Sequence, residues 1–211
     1  MSYFYDRKDA GQKLSKRLEK YSQAKDVVVL GLPRGGIVVA AEVARFLQVP
    51  LDVLIVKKMG CPGNPELAMG AVDDQGTVAI NEEVIKLAGV SKEEFEKAKN
   101  EAWKLAQKRA AQYRKQKRAI ELHNKVVVLI DDGLATGATM QAAVAACRKR
   151  KASKIIVAVP VAAPDSMVKI QKMVDEVQCL YEPESFGSVG FFYSVFDQTE
   201  DDEVLSLIQN T

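Results

Sequence analysis

The sequence predicts an α/β fold with a doubly wound parallel sheet. The first observation is a set of three apolar runs, at Val27–Gly31, Val126–Ile130 and 154–160. Runs of this length without polar alternation are typical of strands that are buried on both faces. The second observation is that a helical pattern follows each run, and strands that alternate with helices form parallel sheets. These helices are predicted at 37–47, 140–149 and 167–174.

The outer elements follow from local patterns. Residues 6–21 place Ala10, Leu14 and Leu18 on one helical face, so this helix is expected to pack on the outside of the sheet. A further strand is predicted at 50–58, and it ends in Lys57 and Lys58. Later in the chain we predict a short strand at 177–181, a helix at 201–208 and, including that helix, a C-terminal flap at about 182–211.

The connection at about 59–122 is predicted to be an insert made of a hairpin and a helix. Its loop carries two glycines and two prolines, so we expect it to act as a hinge. Ser91 and Glu94 form a capping box, which marks the start of a helix. The predicted elements are a loop at 60–65, hairpin strands at 67–72 and 77–81, and a helix running from the capping box to about 117.

Composition limits the class of protein. With 211 residues, of which 47% are hydrophobic, the chain is expected to form a single domain, 1–211. Its apolar runs are shorter than the ~20 residues that a membrane helix needs. Cys61, Cys147 and Cys179 have neither a zinc spacing nor a disulfide spacing, which indicates a cytoplasmic protein. The net charge of +2 argues against a dedicated nucleic-acid binder.

The most informative motif begins where the second apolar run ends. Asp131 and Asp132 follow Ile130, and a loop of small and hydroxyl residues at 133–139 then leads into a helix. A strand end, backbone N–H groups and a helix N-terminus together form an anion site. The motif therefore predicts a sugar phosphate, with its hydroxyls and a divalent cation at the acidic end.

A second glycine loop follows the first apolar run. Gly35 and Gly36 would let the backbone approach a ligand closely, and Arg34 adds a planar cation beside them. The spacing does not fit a dinucleotide-binding fingerprint. Because both loops follow strands, we expect them to meet at the carboxyl edge of the sheet, where such folds bind ligands.

Four apolar residues, two acids and Thr136-Gly-Ala-Thr139 resemble the phosphoribosyl pyrophosphate (PRPP) signature of type I phosphoribosyltransferases. The resemblance implies that fold, a Mg²⁺ cofactor, and catalytic roles for Asp131, Asp132 and Arg34, with the two acids near ribose and metal. Members of the family often have a cis peptide in the loop before Gly35. The implied 5′-phosphate site is Ala135, Thr136, Gly137, Ala138 and Thr139, and the implied pyrophosphate site is Pro33, Arg34, Gly35, Gly36, Lys57 and Lys58.

The acceptor has no sharp motif. The segment 60–68 is similar to a stretch in relatives whose substrate is uncertain, and it contains Glu66 as a candidate contact. By the same resemblance, the loop that starts at Val161 would close over ribose and acceptor. Aromatic residues of the C-terminal flap, Phe192 among them, could form a wall for a flat ring.

The function predicted on these grounds is transfer of ribose 5-phosphate between PRPP and a nitrogenous base, with release of pyrophosphate. We also expect a homodimer. One alternative is a PRPP- or nucleotide-sensing regulator that touches nucleic acid with the basic end of the long helix, at 109–118. Another is a PRPP-forming kinase or a phosphorolytic enzyme. The insert is expected to be a lid over PRPP or, instead, a rigid scaffold that contacts the sheet or a second subunit through Phe95 and Leu105.

Overall fold

The computed structural model describes residues 3–115 and 117–211, without the side chain of Glu66. The strands are β1 (Val27–Gly31), β2 (Leu51–Val53), β3 (Val56–Cys61), β4 (Asn64–Asp73), β5 (Val78–Ile80), β6 (Val126–Ile130), β7 (Lys154–Val161) and β8 (Glu176–Tyr181). The α-helices are α1 (Arg7–Arg17), α2 (Gly35–Leu47), α3 (Glu82–Leu87), α4 (Lys92–Arg114), α5 (Ala138–Lys149), α6 (Pro164–Gln171) and α7 (Asp201–Asn210). Two short 3-10 helices span Glu19–Tyr21 and Val189–Phe192.

The central sheet is parallel, with five strands in the order β2-β1-β6-β7-β8. Successive side chains of a strand point to opposite faces. Val27 and Val29 accordingly pack with α1, α2 and α7, whereas Val28 and Leu30 pack with α5 and α6. Both faces are therefore covered by helices, which confirms the predicted doubly wound α/β fold.

The register of the sheet brings the two predicted ligand loops together. Gly31, the last residue of β1, is paired with Ile130, the last residue of β6. The connection from β1 to α2 and the loop that begins with Asp131 therefore leave the sheet at the same edge. This is the carboxyl edge of the parallel strands, as the sequence predicts. Helix α2 starts at Gly35, two residues before the predicted start, so Gly35 and Gly36 form its first turn.

The predicted strand at 50–58 is wrong, because the chain changes sheets within it. β2 ends at Val53 and stays paired with β1 only as far as Gly31, since β1 has no further residues to pair with. The chain then starts β3 at Val56, whose partner is Asp73 of β4. Lys57 and Lys58 consequently lie in the insert rather than at the end of a central strand.

The insert contains a three-stranded antiparallel sheet in the order β3-β4-β5. Its predicted hairpin is present, and the predicted capping box of Ser91 and Glu94 opens α4. The loop predicted at 60–65 is wrong, because the β3–β4 ladder continues to the Cys61–Asn64 pair and leaves only a tight turn. Gly63 occupies this turn with a φ of 75°, which favours glycine.

Helix ends differ from the predicted ones by a few residues. The first helix ends at Arg17 and is continued by a 3-10 turn, and α4 ends at Arg114. Helix α6 begins at Pro164, three residues before the predicted 167, because proline suits the first helical position. Within the described parts of the chain, no helix is both long and apolar enough to cross a membrane.

A buried ion cluster ties the end of α4 to both sheets. Arg114 donates from Nε to Asp52 Oδ1 at 2.8 Å and from Nη1 to Asp74 Oδ2 at 2.5 Å. Its Nη2 donates to the carbonyl of Val53 at 2.6 Å. Asp52 belongs to β2 and Asp74 to the β4–β5 turn, so one guanidinium fixes the base of the insert to the edge of the central sheet.

This cluster also corrects the regulator hypothesis, which treated the basic residues at 109–118 as one open surface. Arg114 is buried. Arg109 is held by Tyr113 and by Asp201 of α7, at 2.9 Å and 3.2 Å. Lys117 donates to the carbonyl of Ile208 at 3.1 Å. Three of the five cations at 109–118 are thus engaged within the chain, which disfavours a continuous basic patch for nucleic acid.

Candidate active site

The two acids after β6 form the centre of the candidate site. The backbone N–H of Asp132 donates to Asp131 Oδ1 at 2.9 Å, which turns the first carboxylate back over the chain. Asp132 is engaged from two sides: Arg7 Nε donates to its Oδ2 at 2.7 Å, and the Tyr193 hydroxyl donates to its carbonyl at 2.6 Å. The pair is thus fixed by α1 on one side and by the C-terminal segment on the other.

The electrostatics of the pair favour the arrival of positive charge or hydrogen-bond donors. Burial, and then the neighbouring Asp132 carboxylate, raise the pKa of Asp131 well above its usual range. Burial and the same carboxylate also raise the pKa of the Tyr193 phenol, so it remains a donor. A ligand that brings hydroxyl groups or a cation to Asp131 would stabilise its ionised form.

The glycine loop lies directly against the acids. A Cβ built on Gly35 would lie 2.0 Å from Asp132 Oδ2, and one built on Gly36 would lie 2.8 Å from the Cα of Asp131. Any larger residue would push the loop away from the carboxylates. The peptide bond between Pro33 and Arg34 is cis, and α2 begins immediately after this bond, at Gly35.

Arg34 is oriented by the acidic start of α7. Its guanidinium Nη1 lies 3.7 Å from Glu200 Oε2 and 4.0 Å from Asp201 Oδ1. The side chain is about one quarter exposed, so it remains reachable by a ligand. A polyphosphate that binds Arg34 must therefore compete with two carboxylates.

The predicted phosphate loop has the features of an anion site. Gly137, with a φ of 72°, is the residue before α5, and Thr136 and Thr139 on either side of it are exposed. The first N–H groups of a helix lack intrahelical partners, and the helix dipole favours negative charge there. The loop is fixed from below, because the Ser166 hydroxyl donates to the carbonyl of Ala135 at 2.5 Å. Ala138 starts α5 and is also exposed.

A cleft of about 870 Å³ separates α5 from the insert sheet. Its wall includes Ala138 and Thr139 from the phosphate loop and Lys58 from β3. Lys57 lines a separate recess against α4, which Lys58 borders as well. Of the two lysines predicted to bind pyrophosphate, Lys58 therefore borders the cleft next to the phosphate loop, and Lys57 does not.

The residues predicted to contact an acceptor do not form a binding surface among the described side chains. Val161 and Phe192 are buried in one apolar cluster with Phe4 and Tyr193, and neither offers a surface to a ligand. The sequence could not separate the two roles, because aromatic and apolar residues suit both a buried core and the wall of a binding site. The side chain of Glu66 lies outside the part of the chain that the structure describes.

One residue at the site was missed, and two others were predicted only as members of the aromatic flap. Arg7 and Tyr193 contact Asp132, and Phe191, next to Phe192, is 76% exposed. Sequence offered no signal for Arg7, since the first helix has an ordinary packing pattern. Tyr193 and Phe191 were among the flap aromatics suggested as a wall for the acceptor, but the contact of Tyr193 with Asp132 was not predicted.

The acid pair can hold Mg²⁺ only with help from a ligand. Among residues 3–115 and 117–211, no cluster of three or more His, Cys, Asp or Glu side chains could hold a metal ion. Mg²⁺ is, however, often bound by one or two carboxylates together with substrate phosphates and water. Asp131 and Asp132 fit that arrangement and would hold Mg²⁺ together with a bound polyphosphate.

This geometry can be compared with known proteins. A family model matches residues 4–193, and its description is the phosphoribosyl transferase domain. The matched range includes the two glycines at 35–36, the acid pair and the predicted phosphate loop at 135–139. The chain belongs to this family.

This chain has curated relatives that match almost all of its residues. It is 42% identical, over 208 residues, to a putative phosphoribosyl transferase of Mycobacterium tuberculosis, and the match covers 99% of this chain and 47% of that protein. The chain thus spans about half the length of the curated relatives it matches.

Solved structures also resemble this chain. TT1426 from Thermus thermophilus has a TM-score of 0.90 and 37% identity, covering 100% of this chain and 99% of that one. The AQ2163 protein from Aquifex aeolicus has a TM-score of 0.53 and 18% identity, covering 87% and 76%. The second likeness concerns the fold alone.

Proposed function

We propose that this chain catalyses phosphoribosyl transfer: it takes ribose 5-phosphate from PRPP, passes it to a nitrogenous base or a similar acceptor, and releases pyrophosphate. The observation that carries this proposal is the contact between two of the predicted ligand-binding features, at the edge of the sheet from which the third also leaves. Gly35 and Gly36 lie against Asp131 and Asp132, and the start of α5 follows them within a few residues. Family membership supports the same reaction class.

The charges suit a reaction in which the bond between C1 and pyrophosphate breaks. Positive charge develops on the ribose ring, and the carboxylates of Asp131 and Asp132 offset it. Arg34 and the backbone N–H groups of Gly35 and Gly36 hold the departing pyrophosphate, while 135–139 hold the 5′-phosphate. When bound, Mg²⁺ beside Asp131 and Asp132 would supply further charge neutralisation at the pyrophosphate and the ribose hydroxyls.

The acceptor supplies the nucleophile, commonly a ring nitrogen, so the protein does not need one of its own. The 3-10 helix Val189–Phe192 packs against the chain just after the acid pair, because a Cβ on Gly133 would lie 2.6 Å from a methyl carbon of Val189. Exposed Phe191 belongs to this helix and offers a ring face for a flat acceptor. It replaces Phe192 as the aromatic candidate.

The proposal is tested by mixing the purified protein with PRPP, magnesium and a panel of bases, and by following pyrophosphate release. We expect release with at least one base, and calorimetric binding of PRPP even without an acceptor. Absence of both PRPP binding and pyrophosphate release would overturn the proposal.

Phe191→Ala should raise the KM for the acceptor and leave the KM for PRPP unchanged.

The remaining proposals concern assembly and location. We propose a homodimer in the cytoplasm, supported by exposed Leu105 on α4 and by three free cysteines without a disulfide spacing. Phe95, the other residue suggested for a subunit contact, packs in the insert's own apolar cluster. Light scattering on wild type and Leu105→Lys tests the dimer: a dimer weakened by the variant supports it, and a monomeric wild type contradicts it.

A further inference from the structure

An arginine from the first helix is in contact with the acid pair. Arg7 Nε donates to Asp132 Oδ2 at 2.7 Å, with the two side chains only 12% and 16% exposed. A Cβ on Gly35 would lie 2.6 Å from the same Arg7 nitrogen, so Arg7 also borders the glycine loop. The arginine is thus part of the wall of the site, although no motif includes it.

The same guanidinium reaches the C-terminal segment. Arg7 Nη1 donates to the carbonyl of Asp197 at 2.7 Å, and its central carbon lies 3.8 Å from the centre of the Phe196 ring. Tyr193, three residues earlier, donates to the carbonyl of Asp132 at 2.6 Å. Arg7 and Tyr193 therefore join one short C-terminal stretch to one carboxylate-bearing residue.

We propose that Arg7 is a positioning residue, which fixes the carboxylate of Asp132 and ties the C-terminal segment at 193–197 to the site. The proposal rests on the proposed function for its role in catalysis, but not for the contact itself. Arg7 does not need to touch the substrate, because it acts through Asp132 and through the backbone of the flap.

Arginine is suited to this task in a way that lysine is not. A planar guanidinium can donate in two directions and stack on an aromatic ring at the same time. A lysine at position 7 could still pair with Asp132, but it could not also reach the Asp197 carbonyl and cover Phe196. The variants Arg7→Lys and Arg7→Gln therefore separate the ion pair from the tie to the flap.

The first test is steady-state kinetics of pyrophosphate release. Arg7→Gln should lower kcat by about 10–100-fold, the range found for residues that orient metal-binding side chains. The KM for PRPP should change little, because the phosphate loops remain intact. Arg7→Lys should recover part of kcat. Arg17→Gln, the same change at an exposed position of the same helix, is the control and should match wild type.

The second test needs no activity. Hydrogen exchange of the ligand-free protein should show faster exchange at 189–199 in Arg7→Gln than in wild type or Arg17→Gln, with the central sheet unchanged. If Arg7→Gln does not fold, Arg7→Lys should show a smaller increase in the same segment.

The two tests fail in different ways. Wild-type protein that binds no PRPP overturns the proposed function, while the exchange comparison still decides whether Arg7 holds the flap. Equal exchange in all variants, or an unchanged kcat in Arg7→Gln, overturns the positioning role.

Discussion

At the scale of single residues, the site depends on two glycines, because they carry no Cβ atom. Gly35 and Gly36 let the backbone at the start of α2 lie against Asp131 and Asp132. A residue with a Cβ atom at either position would displace the helix start or the acids. The 2.0 Å distance from a Cβ on Gly35 to Asp132 Oδ2 is far below any van der Waals contact. Glycine is therefore required here for a close approach and not for a special φ.

The expected consequence is a loss of function without a loss of fold. Gly35→Ala should displace either the loop or Asp132 and lower kcat/KM for PRPP by about 10²-fold, the effect of a misplacement near 1 Å. Gly89→Ala is a useful control, because nothing lies within 4 Å of its Cβ and its φ of 63° brings only backbone strain. Wild-type kinetics in Gly35→Ala would show that the loop does not bind the ligand.

Residues also show where sequence reasoning stops. The acid pair, the glycine loop and the phosphate loop were predictable because each is a short continuous motif at the end of an apolar strand. Arg7 was not, since it lies 125 residues before its partner Asp132 and sits in an ordinary amphipathic helix. Nothing local distinguishes an arginine that faces a carboxylate from one that faces water.

At the scale of elements, one buried arginine links the insert to the edge of the central sheet. Arg114 pairs with Asp52 and Asp74, and all three side chains are less than a tenth exposed. Sequence reasoning placed Arg114 among the basic residues at the end of the long helix, as a candidate contact for nucleic acid. It also extended β2 through Lys58, because strands of two different sheets look alike when both are apolar and only a few residues separate them.

Removing this arginine should be costly for stability. Arg114→Ala leaves two buried carboxylates without their counter-charge, so we expect the free energy of unfolding to fall by about 3–5 kcal/mol. Arg45→Ala is the matched control, because Arg45 pairs with Glu42 at the surface and should cost less than about 1 kcal/mol. Urea denaturation measures both, and a loss in Arg114→Ala no larger than in the control would contradict the role of the cluster.

The structure changes where a lid is expected to move. The β3–β4 ladder continues to its tip, so residues 60–65 do not form the predicted hinge loop, and we expect the movement in the strands that face the cleft. We expect 68–71 and 79–83 to exchange more slowly when PRPP and magnesium are bound. The base near Asp74 should not change, because Arg114 already holds it. Equal exchange of the cleft strands with and without ligand would make the insert a scaffold.

At the scale of the whole molecule, the sheet organises function by bringing distant segments to one edge. The parallel sheet and the alternation of helices were predictable because they depend on hydrophobic pattern alone. The contribution of both termini was not, since α1 and the C-terminal segment meet only after the sheet has formed. The acceptor remained undefined for the same reason: its candidate contacts come from the flap, where tertiary packing decides which ring is buried and which is exposed.

The most direct test of the account is PRPP binding and turnover in the acid-pair variants. Calorimetry with PRPP and magnesium, together with pyrophosphate release, would be measured for wild type, Asp131→Asn, Asp132→Asn and the control Asp26→Asn, which changes an exposed acid before β1. We expect wild type and Asp26→Asn to bind PRPP with the same affinity and to turn over at the same rate. Each site variant should fold normally and lose about 10²–10³-fold in turnover, or about 3–4 kcal/mol. Site variants with the turnover of wild type would contradict the central claim that these acids stabilise the reacting ribose.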